Sequence, residues 1–431
     1  MLLIYTQKIT PRITYAFRHI CTRILGIEIG FTSVIEELIS HSGPKLSYGK
    51  QAMGNELFLQ SEGLLTQQGF ESIDITVKDW EDTKCFFSTS GHCALPFDIF
   101  AASFYLMSRY EEYLPHVKDE IGRYPVTESL AYQEGFLKQP VVDVWAYKFK
   151  EVLHTAFPDL EFPLKKTKVH TIVEASQPFA YIQRGFLRTL LGYASDVSKL
   201  KFRAVIERTR VIMRLRKDPY HSFKWIVNKS KKSKSKLTVF FLLGDSLTFK
   251  ESMNTHRLAF KMLVKYVADY NETGLIFSFE ALKEYEILKK EKKRMEEITN
   301  RSVLSTMNAR FLVSLPEIYR NLVELEVAKD YTMVYENEVG FRAGTCTPFL
   351  FYDLDSEIKT PLIIQPLAMT TTAFEKKYES DIKKTIANVF RSVEKVNGTF
   401  TMLFTNRDFS SSEKNKIWRS IFSEKLQKYD S

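Results

Sequence analysis

Hydrophobic and polar positions change period several times along this chain, and the changes predict two kinds of region. Near the start, an apolar run at 2–5 reads as a buried strand and the stretch 11–25 as a helix. Residues 96–113 carry Phe97, Ile99, Phe100, Phe104 and Met107 at helical spacing and then end in the polar cluster Ser108-Arg109-Tyr110-Glu111-Glu112-Tyr113. Adjacent carboxylates on a helix point about 100° apart, so Glu111 and Glu112 read as a solvated helix end rather than as an acid/base or metal pair.

From residue 169 onward, short apolar runs alternate with longer amphipathic ones. Strands are predicted at 169–173, 237–243, 273–279, 311–314, 331–334, 362–365 and 400–404. Helices are predicted at 252–270, 282–298, 316–327, 374–396 and 412–428, the last carrying Ile417, Trp418, Ile421 and Phe422. This alternation predicts an α/β fold with a parallel sheet or β/α barrel, whose chemistry would sit at the C-terminal ends of the strands. A Pro-punctuated segment at 157–163 marks the expected boundary between a mixed α/β domain, 1–160, and a barrel-like domain, 161–431.

Charge sharpens this picture. The net +9 comes from 61 Lys and Arg against 52 Asp and Glu, and it is concentrated. Residues 184–236, between the first two predicted barrel strands, hold 16 Lys or Arg and only Asp196, Glu207 and Asp218; the local surplus of +13 leaves the other 378 residues at −4. Within 199–217, eight basic residues are mixed with Leu200, Phe202, Val205, Ile206, Val211, Ile212, Met213 and Leu215, which predicts a basic helical hairpin inserted into the barrel. A solvated elbow with a Lys/Ser loop at 229–236 is one reading. A patch over 199–236 for an anionic membrane surface or a phosphate-bearing, lipid-linked saccharide is another, since each basic residue near such a surface adds about 1 kcal/mol. Nucleic acid is disfavoured, because the rest of the chain shows no known nucleic-acid module.

Cys21, Cys85, Cys93 and Cys346 form no CxxC pair and no zinc spacing, and read as free thiols of a reducing compartment. No apolar stretch approaches the roughly 20 residues of a membrane span, so the expected location is cytoplasmic, at most peripheral to the inner membrane. The sequence has no Gly-rich phosphate loop, no GxSxG and no HExxH. Its last histidine is His256, so the late barrel strands have no imidazole to offer as metal ligand or general acid.

The block Asp330-Tyr-Thr-Met-Val-Tyr-Glu-Asn-Glu-Val-Gly-Phe-Arg-Ala-Gly-Thr-Cys-Thr-Pro-Phe349, followed by Phe351-Tyr-Asp-Leu354, resembles polysaccharide deacetylase-like proteins of Bacteroidetes, relatives of the nodulation-type deacetylases of carbohydrate esterase family 4. Further blocks carry the resemblance at 1–26, 95–113, Pro140-Val-Val-Asp-Val-Trp145 and Lys217-Asp-Pro-Tyr220. It implies an N-terminal α/β domain followed by a distorted β/α barrel. Active members use a divalent metal such as zinc, held by one Asp and two His, with a second Asp as base and a His as acid. The metal polarises the acetamide carbonyl and acidifies a bound water, while the carboxylate takes the proton.

The resemblance can be followed position by position. Where the family has Asp-x-Asp, this chain has Glu174-Ala-Ser176; where it has two His ligands, Ile276 and Arg310 stand; where it has the acid-type His, Thr405 stands. Met369-Thr370 likewise replaces a Met-Asp pair. Arg342, expected near the catalytic carboxylate, and Asp353 are retained. One carboxylate cannot supply the three protein ligands of a catalytic zinc, and Arg310 would oppose a cation. The resemblance thus implies a degenerate deacetylase-like protein with no metal cofactor and a glycan-binding or regulatory role in cell-surface polysaccharide metabolism; if the fold is kept, Glu174 and Arg310 face each other and either form an ion pair or each turn to solvent. The alternatives are a residual hydrolase recruiting metal through Asp245 and Asp353, and a membrane-surface scaffold acting through the basic insertion.

Overall fold

In the computed structural model the described residues are all except His92, Lys234, 247–251, Lys376, Ser411 and 429–431, with the side chains of Lys414 and 426–428 also set aside. Part of the predicted 229–236 loop, Lys234, therefore lies outside the described residues. The first apolar run forms β1 (Leu2–Tyr5), and α1 (Pro11–Phe17) follows, capped by the Thr10 side chain accepting from the Ile13 N–H. The predicted helix to residue 25 continues as a wider π-helical coil that stops at Gly26, where φ is +80° and a Cβ would lie 2.4 Å from the Pro163 ring. Next come β2 (Ile29–Thr32), α2 (Ile35–Ser40), β3 (Lys45–Gly49) and β4 (Leu57–Gln60), giving a parallel sheet in the order β2-β1-β3-β4. A small hairpin, β5 (Lys78–Trp80) with β6 (Thr83–Cys85), precedes α3 (Ile99–Met107), whose N-terminal amides at Phe100 and Ala101 are capped by Asp98.

The predicted helix over 96–113 breaks at Arg109, which adopts φ +55° and starts α4 (Tyr110–Tyr113) in a new direction. This corrects the reading of Glu111 and Glu112 as a solvated helix end: both are buried. Arg109 donates to Glu112 at 2.8 Å and to Glu111 at 2.7 Å, and also to the Arg342 carbonyl. Arg342 closes a two-pronged pair with Glu112 at 2.9 and 2.8 Å. Two guanidiniums on one carboxylate make its burial tolerable. After α5 (Leu130–Gln133), α6 (Val141–Ala156) supplies a second tie to the same segment. Its buried Asp143 accepts from Thr345 Oγ1 at 2.6 Å, the Cys346 N–H at 2.9 Å and Thr347 Oγ1 at 2.5 Å. Arg12 makes a third tie across the chain, to Glu357.

The alternating region runs β7 (Lys168–Ala175), α7 (Phe186–Ser198), α8 (Phe202–Ile212), α9 (Phe223–Ser230), β8 (Lys236–Leu242), α10 (Leu258–Ala268), β9 (Glu272–Phe277), α11 (Tyr285–Thr299), β10 (Ser305–Asn308), α12 (Glu317–Glu324) and β11 (Lys329–Asp330). It continues with the antiparallel pair β12 (Phe349–Asp353) and β13 (Ile358–Ile364), then β14 (Met369–Thr370), α13 (Glu379–Glu394), β15 (Thr399–Thr405) and α14 (Lys416–Lys428). The strands share one sheet in the order β12-β13-β11-β10-β9-β8-β7-β15-β14, parallel apart from β12. Its ends are joined by residues 365–368: the Gln365 N–H bonds the Asp330 carbonyl at 2.8 Å and the Ala368 N–H bonds the Thr401 carbonyl at 2.9 Å. The fold is α/β, and the sheet closes into a distorted barrel. Ile172, Phe240, Ile276, Met307, Tyr331 and Leu403 fill its interior as a cluster separate from the main core.

Two predicted strands shift. The strand expected at 311–314 is instead β10, and residues 309–311 form a tight turn in which Arg310 and Phe311 take φ +56° and +55°. The strand expected at 331–334 pairs only through β11, because the Asp330 carboxylate bonds the Thr332 N–H and hydroxyl and curls the chain inward.

A Cβ on Gly274, inside the barrel, would lie 2.3 Å from the Phe240 ring and 2.8 Å from the Ser305 carbonyl. Gly274→Ala is expected to cost about 1–3 kcal/mol in denaturant titration through overpacking; an unchanged midpoint would contradict this interior. Burial alone would raise the Glu112 carboxyl, but Arg342 and Arg109 override it and hold it at about 2, against an ordinary 4.5. A depressed carboxyl stabilises the fold above its unfolded value, and that stability is lost as pH falls. Glu112→Gln should therefore cost about 3–5 kcal/mol at neutral pH, and the gap to wild type should narrow as pH drops below 4.5 towards 2. A gap that does not change with pH would overturn the assignment.

Candidate functional site

Successive side chains on a strand face opposite sides, so β7 points Ile172 and then Glu174 into the barrel, with Glu174 at the rim. Thr405, the last residue of β15, lies in register with Glu174. Beyond it the chain turns through Asn406 to Phe409, fixed by the reciprocal cap between Thr405 and Asp408. The 309–311 turn after β10 approaches from across the mouth. Glu174, Ser176, Arg310 and Thr405 thus line one pocket, together with Gln177, Asn406 and Arg407. Ile276, the fifth position marked in the sequence, is buried in the interior cluster beside Leu242, which forms part of the pocket wall.

Glu174 is half-buried and accepts from the Ser176 hydroxyl at 2.5 Å. Burial pushes its carboxyl up, opposed by that hydroxyl and by the nearby charges of Arg407 and Arg310. The predicted ion pair between Glu174 and Arg310 is corrected: Arg310 pairs with Glu336 at 3.3 Å. Glu336 also receives Arg123 at 2.5 Å, and Arg123 donates to the Arg310 carbonyl at 2.9 Å and is steadied by Asp119 at 2.8 Å. The charge of Arg310 is thus drawn towards a carboxylate anchored from the N-terminal region, while Glu174 is satisfied by its own neighbour.

The retained positions lie elsewhere. Arg342 is committed to Glu112, and Asp353 on β12 is held in a two-pronged pair by Arg320 at 2.6 and 2.9 Å; neither lines the pocket. Asp245 is exposed, 3.8 Å from Arg188, and does not line it either. Sequence reasoning missed Glu336, Arg123, Asn406 and Arg407. Glu336 stood inside the block 330–349 without being singled out, and Asn406 and Arg407 follow in turn on Thr405. Arg123 gave no signal, because its partner is 213 residues away.

Through Thr405 and Arg407 the pocket adjoins a cleft of about 810 Å³, lined among others by Tyr220, Thr371, Thr372, Asp408 and Trp418. The Asn406 amide fixes the junction by donating to the carbonyls of Gln177 at 3.0 Å and Tyr220 at 3.1 Å.

Among the described residues the donor set at the mouth is one carboxylate, hydroxyls, amides and two guanidiniums, which does not fit a catalytic divalent metal. Among the described residues there is no group of three or more His, Cys, Asp or Glu placed to hold one. Elemental analysis of dialysed protein should find no stoichiometric zinc, nickel or cobalt; about one retained equivalent per chain would overturn this.

Against known proteins, residues 2–158 match the model of DUF7033, a family of unknown function. No curated protein matches the chain. Among solved structures, a Mycobacterium smegmatis protein described as a putative polysaccharide deacetylase aligns at 9% identity and a TM-score of 0.42, over 63% of this chain and 88% of that one.

Proposed function

We propose that this chain is a deacetylase-like barrel that binds a glycan at its mouth without metal-dependent hydrolysis, serving as a binding or regulatory partner in polysaccharide metabolism. One observation carries the reading: four of the six altered positions, Glu174, Ser176, Arg310 and Thr405, converge on a single polar pocket that opens into a cleft of ligand size. The residues marked by the resemblance remain a site, but their chemistry is that of recognition. The hydroxyls of Ser176, Thr371 and Thr372 donate to Glu174, Asp408 and the Glu336 carbonyl and keep lone pairs to accept from a sugar, and Arg407 adds a charged donor. Among the described residues no second carboxylate lines the pocket with Glu174, so the two-carboxylate route of glycoside cleavage lacks its partner there.

Saturation-transfer NMR with the N-acetylglucosamine tetramer, alongside a glycan array, tests the proposal. Binding is expected, weakened about tenfold in Arg407→Ala through loss of one charge-assisted hydrogen bond. Failure to bind any glycan would sink the reading, and acetate release from the tetramer would sink its non-catalytic part.

A further inference from the structure

The barrel mouth leaves the positive charge of residues 184–236 unexplained. There, α7 and α8 pack through Arg208, which pairs with Asp196 at 2.6 Å and lies over the rings of Tyr181 and Tyr193, 4.8 and 5.4 Å from their centres. Gly192 makes room for it, since a Cβ there would lie 2.4 Å from the guanidinium. A polar keystone thus occupies the inward face, and large apolar side chains are turned outward. Phe186, Leu187, Leu190, Leu191 and Val197 share one exposed face of α7 at helical spacing, with Phe186 85% exposed. Leu200, Phe202, Ile206, Met213 and Leu215 are exposed on α8 and its flanks, with Leu215 at 74%. A contiguous apolar surface of this extent marks an interaction site.

Charge identifies the partner. Lys199, Lys201, Arg203, Arg210, Arg214 and Lys217 are exposed on the same hairpin and its flanks. The three acids are used internally: Asp196 holds Arg208, Glu207 pairs with Arg216 at 3.1 Å, and Asp218 accepts the N–H groups of Ala180, Tyr181, Ile182 and Tyr220. A second copy of the face would set cations against cations, and a nucleic acid would leave the apolar side chains without a matching surface. Among the described residues no helix is long and apolar enough to cross a membrane.

We propose that the α7–α8 hairpin docks in the headgroup layer of an anionic lipid bilayer, with its apolar side chains in the interface and its Lys and Arg on lipid phosphates. Tyr220, just beyond the hairpin, lines the cleft, so docking holds that cleft beside the membrane.

The test is co-sedimentation of the full chain with phosphatidylcholine vesicles, with and without phosphatidylglycerol. Binding is expected on the anionic vesicles, falling at least about tenfold on pure phosphatidylcholine or in high salt. Two exposed-surface variants, Leu190→Ser with Leu191→Ser and Arg203→Glu with Arg210→Glu, should each weaken binding about tenfold with an unchanged circular dichroism spectrum. Equal binding to both vesicles, no vesicle binding, or variants that bind like wild type would overturn the proposal. So would a dimer in light scattering that Leu190→Ser with Leu191→Ser dissolves while vesicles capture nothing. Retained binding of the N-acetylglucosamine tetramer by both variants keeps this outcome separate from the glycan reading.

Discussion

A barrel of parallel strands confines its ligand to the rim only if the sheet closes, and here closure depends on the four residues 365–368, which bond β11 through Asp330 and β15 through Thr401. Those residues are held in turn from outside the barrel. The Gly340 N–H bonds the Ala368 carbonyl at 2.8 Å, and the Phe341 N–H bonds the Leu137 carbonyl at 2.8 Å. The same stretch is then gripped by Glu112 through Arg342 and by Asp143 through residues 345–347. Ion pairs this deep add little stability against a well-packed apolar alternative, but losing one partner strands a charge. Their value is in orientation: they fix where the closing segment lies, and hence where the strand ends converge.

That convergence brings Glu174, Ser176, Arg310 and Thr405 to one place. With Phe240, Met307 and Tyr331 filling the interior, the space left for a ligand begins at the level of Glu174 and Leu242. A half-buried carboxyl with a hydroxyl partner and guanidiniums nearby favours a neutral, hydroxyl-rich or partly anionic guest over a cation. The mouth and the basic hairpin differ in kind, one a small polar pocket and the other a broad charged and apolar face.

Much of the alternating half was legible in the sequence, because strands such as β7, β8 and β15 are short runs rich in β-branched and aromatic residues set between longer stretches of helical period. The short strands β2, β3 and β4 were not, since four or five residues with Gly and polar members carry too little period to stand out. The turn at 309–311 was misread for the opposite reason: Phe311 and Leu312 look like strand residues, and only tertiary packing holds Arg310 and Phe311 at positive φ. The site was half legible. Its positions could be marked along the chain, but the partner of Arg310 is set by a carboxylate that an N-terminal arginine anchors, and no local pattern encodes that distance.

The bracing of Glu336 between Arg123 and Arg310 also bears on how readily hydrolytic chemistry could be rebuilt on this scaffold. A histidine placed at position 310 would find Glu336 still engaged by Arg123, a hydroxyl at Ser176 where a second carboxylate would be needed, and Ile276 sealed into the interior. A new ligand at position 176 or 310 alone would give only two with Glu174, short of the three a catalytic zinc takes, and opening position 276 to a polar side chain would unsettle the packed interior. The mouth therefore sits several coordinated substitutions from a working metal centre, and an engineer would do better to redesign the rim than to replace one residue at a time.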